Sequence, residues 1–317
     1  MTLPTIICIS ANPALDRRLR VPSLALGHVT RAQSVQVLPG GKAAHVAMAA
    51  GALGASAVWI GFLGGSSGNE VLAGLKQLDV EAAPIRSAAS TRANLEIIED
   101  SGRVTEILEP GCVPEQRECR EMLRVLDAGL RKRWKGAVVV ISGSVPAGTP
   151  ENLYPSLIVS AQKAGSKVLL DTSGDALYAG LAAKPDLVKP NRTEAETLLK
   201  ANLRSHDATI DAAHELIRRG ARSAAITLGA DGLVWMESKK GPVWIARPLR
   251  LTGTSSVGCG DAAMAGFAFA FAQKLEPDKV LRLAAACGAA NCYAPLPGRI
   301  SLEEVQFLAR QIKIEHR

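Results

Sequence analysis

Residues 253–266, GTSSVGCGDAAMAG, carry the residue types that phosphoryl chemistry needs. Gly258 and Gly260 bracket Cys259 and lead into Asp261, and an Ala-rich apolar stretch follows at 262–271. A glycine turn feeding a helix leaves backbone N–H groups unpaired at the helix start, and the helix dipole adds positive potential there. Together they form a site for an anion such as a phosphate. A carboxylate beside that site repels the anion, so Asp261 needs a chemical reason to be there. Taking the proton of a hydroxyl that attacks a phosphoryl group is such a reason. The competing reading is a helix with an acidic residue in its first turn.

A second glycine cluster, GGKAAHVA, lies at 40–47 behind the strand-like SVQVL. Gly40 and Gly41 allow backbone to approach a small ligand closely. Lys42 offers a point charge to a phosphate or a donor to a hydroxyl, against the alternative of a solvated lysine at a strand–helix corner.

These segments need elements to hold them. TIICIS, AVWIGFL, AVVVISG, KVLLDTS, DLVKPN and SAAITLG are short apolar runs, and between them lie helical patterns such as NEVLAGLKQL, ECREMLRVLDAGLRKRW and IDAAHELIRRG. Alternation of this kind predicts β-α-β units, a mainly parallel sheet and helices on both faces. Two segments break the pattern: 17–38 and 91–110 alternate in polarity and contain turns, with Asp100, Ser101 and Gly102 closing a hairpin. They predict a small sheet projecting from the main one. The stretch 46–63 is apolar, but Gly51, Gly54 and Ser56 divide it into a helix and a strand rather than a membrane span. No internal repeat interrupts this organisation.

Composition sets bounds. The chain has 317 residues, 47% hydrophobic and 21% charged, enough for one large core with an appendage. An aromatic share of 4% argues against stacking platforms for single-stranded nucleic acid. The net charge of +7 is scattered among interleaved acids, and its field favours anionic substrates. The six cysteines form no C-x-x-C, and no His stands at metal spacing beside them. Buried thiols in a reducing cytoplasm are the expectation. TLPTIICIS has no basic start, so no signal peptide is expected.

Taken in order along nearly the whole chain, the motifs resemble the PfkB family of sugar kinases, which share the ribokinase fold. ISANPALD (9–16) resembles the opening strand with its substrate-binding Asp, here Asp16. GGKAAHVA resembles the first signature and SSVGCGD the second. STRANLEII (90–98), ISGSVPAG (141–148), LVKPNRTEAE (187–196) and ITLGADG (226–232) resemble the intervening elements. NPALD, TRANLEI with TEILEPG, and KPN together resemble the phosphosugar branch, which holds 1-phosphofructokinase, tagatose-6-phosphate kinase and the minor 6-phosphofructokinase. The resemblance implies one ribokinase-like α/β domain over 1–317, with a β lid built from about 14–38 and 91–110 that is often a dimer surface.

By the same resemblance, Asp16, Gly40, Gly41, Lys42, His45, Arg92, Asn94 and Arg31 would hold the sugar and a phosphate it already bears. Arg92 is the preferred clamp, because its planar fork of donors suits phosphate oxygens. The competing role for Arg92 is a cross-strand ion pair with Glu96 or Glu106. Lys189, Asn191, Thr227, Gly229, Gly232 and Asn291, the last near the adenine, would serve the nucleotide, with Asn191 and Glu194 holding Mg²⁺ through water. Asp261 would be the base, and the N–H groups of Gly258, Cys259 and Gly260 would stabilise the growing charge. The implied reaction takes ATP and a hexose phosphate (fructose 1-phosphate, fructose 6-phosphate or tagatose 6-phosphate), with no nucleic acid and no membrane as partner. The alternatives are a kinase of an unphosphorylated sugar or nucleoside, and a non-catalytic binding protein on the same fold. A Rossmann-type enzyme is disfavoured, since TIICIS runs into NPALD without G-x-G-x-x-G.

The chain departs from the family pattern at three positions. His45 stands in place of Asn, Ala43 in place of Gly, and His28 in place of a phosphate-binding Lys found in some relatives. Cys259 for Ala in the glycine turn is a smaller change. A His45 that faces the sugar would make activity depend on pH near neutrality, because an unperturbed His titrates at about 6.5. The competing reading is a core-facing or helix-surface His45 without ligand contact.

Overall fold

A computed structural model describes residues 3–247, 249 and 256–317. The chain begins with β1 (Thr5–Ser10), β2 (Ala14–Val21), β3 (Ser34–Gly40), α1 (Lys42–Ala52), β4 (Ser56–Leu63), α2 (Gly65–Gln77) and β5 (Glu81–Arg86). It continues through β6 (Arg92–Glu99), β7 (Val104–Leu108), α3 (Gln116–Arg131), β8 (Val138–Ser142), α4 (Leu153–Lys163), β9 (Val168–Asp171) and α5 (Gly174–Ala182). Then come β10 (Leu187–Val188), α6 (Arg192–Leu199), α7 (His206–Arg218), β11 (Ala224–Thr227), β12 (Leu233–Met236) and β13 (Val243–Ala246). The last elements are α8 (Cys259–Ala272), α9 (Pro277–Asn291), α10 (Leu302–Ala309) and β14 (Ile314–His316).

The TIICIS run forms β1, buried from Ile6 to Ser10. Successive side chains of a strand point to opposite faces, so Ile6 and Cys8 enter one apolar core and Ile7 and Ile9 the other. Cover on both faces explains why the strand is a continuous apolar run rather than an alternating one. β1 sits between β4 and β8, parallel to both. The ten-stranded sheet has the order β14-β13-β12-β11-β10-β9-β8-β1-β4-β5. It is parallel from β5 to β11 and antiparallel from β11 to β14. The stretch 46–63 divides as expected, with α1 ending at Ala52 and β4 starting at Ser56. Among the described residues, no helix is long and apolar enough to cross a membrane.

The two segments that break the β-α-β pattern pair with each other. They form a second sheet of four strands in the order β3-β2-β6-β7. β2 and β6 run parallel, with Asp16 opposite Asn94 and Arg18 opposite Glu96. The 100–102 turn closes the β6–β7 hairpin, with Gly102 at φ 83 and its N–H bonded to Glu99 O at 2.8 Å. On one face of this sheet stand Asp16, Arg18, Asn94, Glu96 and Glu106, and on the other Val35, Val37, Leu95 and Ile107.

α8 and α9 bring the glycine turn to the sheet. Their small residues allow close packing: a Cβ at Gly266 would lie 2.7 Å from Ala284 Cα. Gly→Ala in a helix interior normally gains about 1 kcal/mol. At Gly266 the overlap, of the kind that costs about 1–3 kcal/mol, should reverse that sign. Gly266→Ala is expected to lower the urea midpoint of unfolding, and an increase would show that α8 and α9 part freely.

Candidate active site

The N-terminus of α8 is built by Gly258, whose φ of 80 lies in the left-handed region. A side chain there would also strike Pro297, whose Cβ is 2.8 Å from the position of an added Cβ. The helix begins bonding with Ala262 N–H to Gly258 O at 2.9 Å, and the Cys259 amide closes the turn onto Ser256 O at 3.3 Å. The first part of the motif, residues 253–255, lies outside the described residues. Asn291 is buried beneath this turn: Nδ2 donates to Val257 O at 2.7 Å, and Oδ1 accepts from Gly298 N at 2.8 Å. Asn291 does not line the cleft, so the expectation that it meets an adenine is replaced by a bracing position, set by α9 ending against the turn.

Asp261, in the first turn of α8, is 7% exposed. His45 of α1 lies against it, with Nδ1 2.9 Å from Asp261 Oδ2. On its other side, Nε2 approaches Asp16 Oδ2 at 3.2 Å as an ion pair, off the line of a hydrogen bond. Burial by itself would lower the His45 pKa, but Asp16 and Asp261 outweigh it and raise it to about 10. The expectation of a titration near neutrality is thereby overturned: the imidazole is a cation throughout that range. Burial works against the Asp16 charge as well, yet His45, the Asn94 amide at 2.8 Å and the Gly41 N–H hold its carboxyl below the usual value. Gly40 sits behind this carboxylate, where any side chain would overlap it.

Lys42, one turn before His45 on α1, reaches Asp171 Oδ1 at 3.0 Å and Glu194 Oε1 at 3.1 Å. Burial alone would lower its pKa, but Asp171, Glu194 and Asp261 outweigh burial and raise it. Asp171, at the end of β9, is also 2.9 Å from Lys189 Nζ. Its burial favours the neutral acid, but Lys189 and Lys42 outweigh that and lower its pKa. Asn191 caps α6: its side chain accepts from Glu194 N–H, and Glu194 Oε2 accepts from Asn191 N–H at 2.9 Å.

Arg92 donates to Glu109 O at 2.6 Å and Asn12 O at 3.1 Å, and its buried Nε has no partner among the described residues. The competing ion pair with Glu96 is not formed, because Glu96 is held by Arg18 at 2.7 Å. A cleft of about 1300 Å³ between the two sheets is lined by Asp16, Gly41, Lys42, His45, Arg92 and Asn94. Lys189, Asn191, Glu194, Thr227, Gly229, Gly232 and Gly258–Asp261 line it too. Besides Gly40 and Asn291, two further positions stay outside. Arg31 and His28 lie exposed in the 22–33 connection between β2 and β3 and do not line the cleft, because that connection leaves the edge of the small sheet. The sequence reading missed Asp171, although KVLLDTS had been recognised as a strand, because a carboxylate at a strand end carries no local sign of two lysine partners. It also missed Cys292 and Arg247 on the cleft wall, and considered Glu106, which lines it too, only as a partner for Arg92.

Comparison with known proteins assigns this architecture. The chain belongs to the pfkB family of carbohydrate kinases, whose profile matches residues 6–302. It is 36% identical over 314 residues to the 1-phosphofructokinase of Xanthomonas campestris pv. campestris, covering 97% of each chain. It is 30% identical over 288 residues to the ATP-dependent 6-phosphofructokinase isozyme 2 of Escherichia coli, covering 90% of this chain and 91% of that one. The structure of phosphofructokinase-2 from Escherichia coli in complex with fructose-6-phosphate matches with a TM-score of 0.86 at 28% identity, over 98% of this chain and 99% of that one. The fold is ribokinase-like, and the protein is a sugar kinase, a phosphotransferase with an alcohol group as acceptor.

The raised pKa of His45 gives stability a pH dependence. A group whose folded pKa lies above its unfolded value stabilises fully below the unfolded pKa, and that stabilisation fades as pH rises through the folded one. His45→Asn removes this contribution. The stability advantage of wild type over His45→Asn, read from urea unfolding, should be largest below pH 6.5 and fall away towards pH about 10. An advantage that does not change with pH would mean that His45 is neutral in the fold.

Proposed function

We propose that this kinase transfers the γ-phosphoryl group of ATP to a hydroxyl of a hexose phosphate, with fructose 1-phosphate, fructose 6-phosphate and tagatose 6-phosphate as the candidate acceptors. One observation carries the reading: Asp261 at the glycine turn and Arg92 on the small sheet line the same cleft. The names of the phosphofructokinase relatives support the choice of acceptor.

In this reading the acceptor sits between Asp16, Asn94 and Asp261, with its existing phosphate on Arg92. His45 holds Asp261 Oδ2, which leaves the other carboxylate oxygen to take the hydroxyl proton. The hydroxyl oxygen attacks the γ-phosphorus as the bond to the departing ADP breaks. N–H groups of Gly258 and Gly260, with that of Cys259 once it leaves Ser256, stabilise the charge on the transferred oxygens. Thr227, Gly229 and Gly232 line the nucleotide side. Lys42 and Lys189, paired with Asp171 and Glu194 until then, are the cations that the incoming phosphates would compete for.

The donor set of Asn191 and Glu194 is hard and all-oxygen. It suits Mg²⁺, which keeps most of its waters and takes one or two protein carboxylates with the substrate phosphates. Glu194 would hold the ion from its cleft-facing carboxylate, with Asn191 beside it, and the ion would neutralise triphosphate charge. The small sheet acts as a lid that excludes water, a competing acceptor. Its outer face, with Val35, Val37 and Ile107 exposed, supports pairing of two copies through the lid. Use of ATP supports the cytoplasm as its compartment.

Two substitutions test the reading through ADP release with each candidate acceptor, and with fructose and ribose. Asp261→Asn keeps shape but cannot take a proton, and should cost about 10²–10⁴ in turnover while ATP still binds. Turnover within about threefold of wild type would remove Asp261 from the chemistry. Arg92→Ala should raise KM for the phosphorylated acceptor by about 10–150-fold, the loss of a charge-assisted contact, and far less for the unphosphorylated analogue. Equal losses would assign Arg92 to holding the small sheet in place.

A further inference from the structure

The sulfurs of Cys259 and Cys292 lie 3.3 Å apart on the wall of the cleft. Cys259 is the first residue of α8, within the glycine turn, and Cys292 is the C-cap of α9. Both are partly exposed, which corrects the expectation that Cys292 is buried, and neither is in a disulfide. Of the other cysteines, Cys8, Cys119 and Cys287 are buried and Cys112 is exposed. The proposed transfer uses the backbone of Cys259 and neither thiol. Asn291, which precedes Cys292, is bonded to Val257 O and lies 3.5 Å from Cys259 Sγ, so the end of α9 and the turn already form one unit.

We propose that Cys259 and Cys292 form a dithiol site that hydroperoxides oxidise to a disulfide, closing the anion site at the start of α8. The functional half of this inference rests on the reading of that helix start as the phosphate site. In the first step Cys292 sulfur attacks the peroxide: an S–O bond forms, the O–O bond breaks, and the leaving alkoxide or hydroxide takes up the thiol proton. In the second step Cys259 sulfur attacks the sulfenic sulfur: the S–S bond forms, the S–O bond breaks, and hydroxide leaves with the Cys259 proton as water. Two electrons pass from the two thiols to the peroxide.

The assignment of roles follows from the pair itself. The neighbouring Cys259 thiol lowers the Cys292 pKa to about 7, against its burial, whereas Cys259 is raised by the same contact. A thiolate is the attacking species, so Cys292 reacts first. A disulfide needs sulfurs about 2.05 Å apart, closer than the thiols now stand. Closing that gap draws the Cys259 side chain towards α9 and moves its backbone N–H, which sits where the phosphate charge would be met. Phosphates lying on the turn would cover both sulfurs, so nucleotide should slow the oxidation.

The test uses the full chain carrying Cys112→Ser, which removes the exposed thiol outside the cleft. The protein is treated with hydrogen peroxide, digested without reductant and examined by mass spectrometry, and ADP release is followed in parallel. The expected result is a peptide linking Cys259 to Cys292 and a fall in turnover of about 10²-fold, the usual cost of losing an anion-hole donor. Dithiothreitol should restore the rate, and saturating ATP should slow the linkage. Cys292→Ser, measured against its own rate before treatment, should keep that rate after peroxide. Absence of the linked peptide overturns the proposal, as does a linked enzyme of unchanged rate or a Cys292→Ser variant that loses the same fraction of activity. The mass measurement needs no turnover, so an enzyme that released no ADP with any acceptor would count against the proposed function while the linked peptide still decided the dithiol.

Discussion

A cationic imidazole held between two carboxylates ties the two sheets of this kinase together. Asp16 comes from the small sheet, His45 from α1 and Asp261 from the first turn of α8, and the two contacts measure 3.2 and 2.9 Å. All three groups are largely buried. Without the cation, two carboxylates would face each other in low dielectric, where a broken pair costs about 3–5 kcal/mol. The distance from the small sheet to the glycine turn is therefore set by charge as much as by packing. In the proposed reaction this is the distance between acceptor and phosphoryl group, and positioning is the main thing such an enzyme supplies.

The second charged group starts from the same helix. Lys42 and His45 are three residues apart and share a face of α1, so one element carries both cations into the cleft. Lys42 and Lys189 meet Asp171, and Lys42 also meets Glu194. Glu194 is oriented by the cap of α6 and by Lys42. The cleft is thus nearly neutral along its charged floor before any anion arrives. An incoming triphosphate competes for cations that already have partners, which moderates its binding and favours contacts that strengthen as charge moves in the reaction.

The glycine turn depends on a different kind of support. Gly258 gives the turn its left-handed backbone, Asn291 ties it to the 298 region, and Gly266 lets α8 rest against α9. Replacing Ala by Cys259 in such a turn is neutral for the backbone but places a sulfur beside Cys292. Residues 33 apart in the chain become neighbours because α8 and α9 are antiparallel partners whose ends meet at the cleft.

Much of this was legible in the sequence by itself. Period-two and helical patterns, with glycine punctuation, located the buried strands, the split at 46–63 and the hairpin at 100–102, because these features are set by neighbouring residues. The glycine turn with Asp261, and Lys42 behind its own glycines, announced themselves for the same reason: a helix start and its first-turn carboxylate are local. The tertiary structure decided what needs two distant residues. It raised the pKa of His45, because its two carboxylates come from β2 and α8. It made Asp171 the counter-ion of two lysines, set Asn291 beneath the turn instead of beside a base, left Arg31 in solvent, and brought Cys292 to Cys259. Charge state and contact depend on burial and on partners far along the chain, and no local pattern of residue types records either.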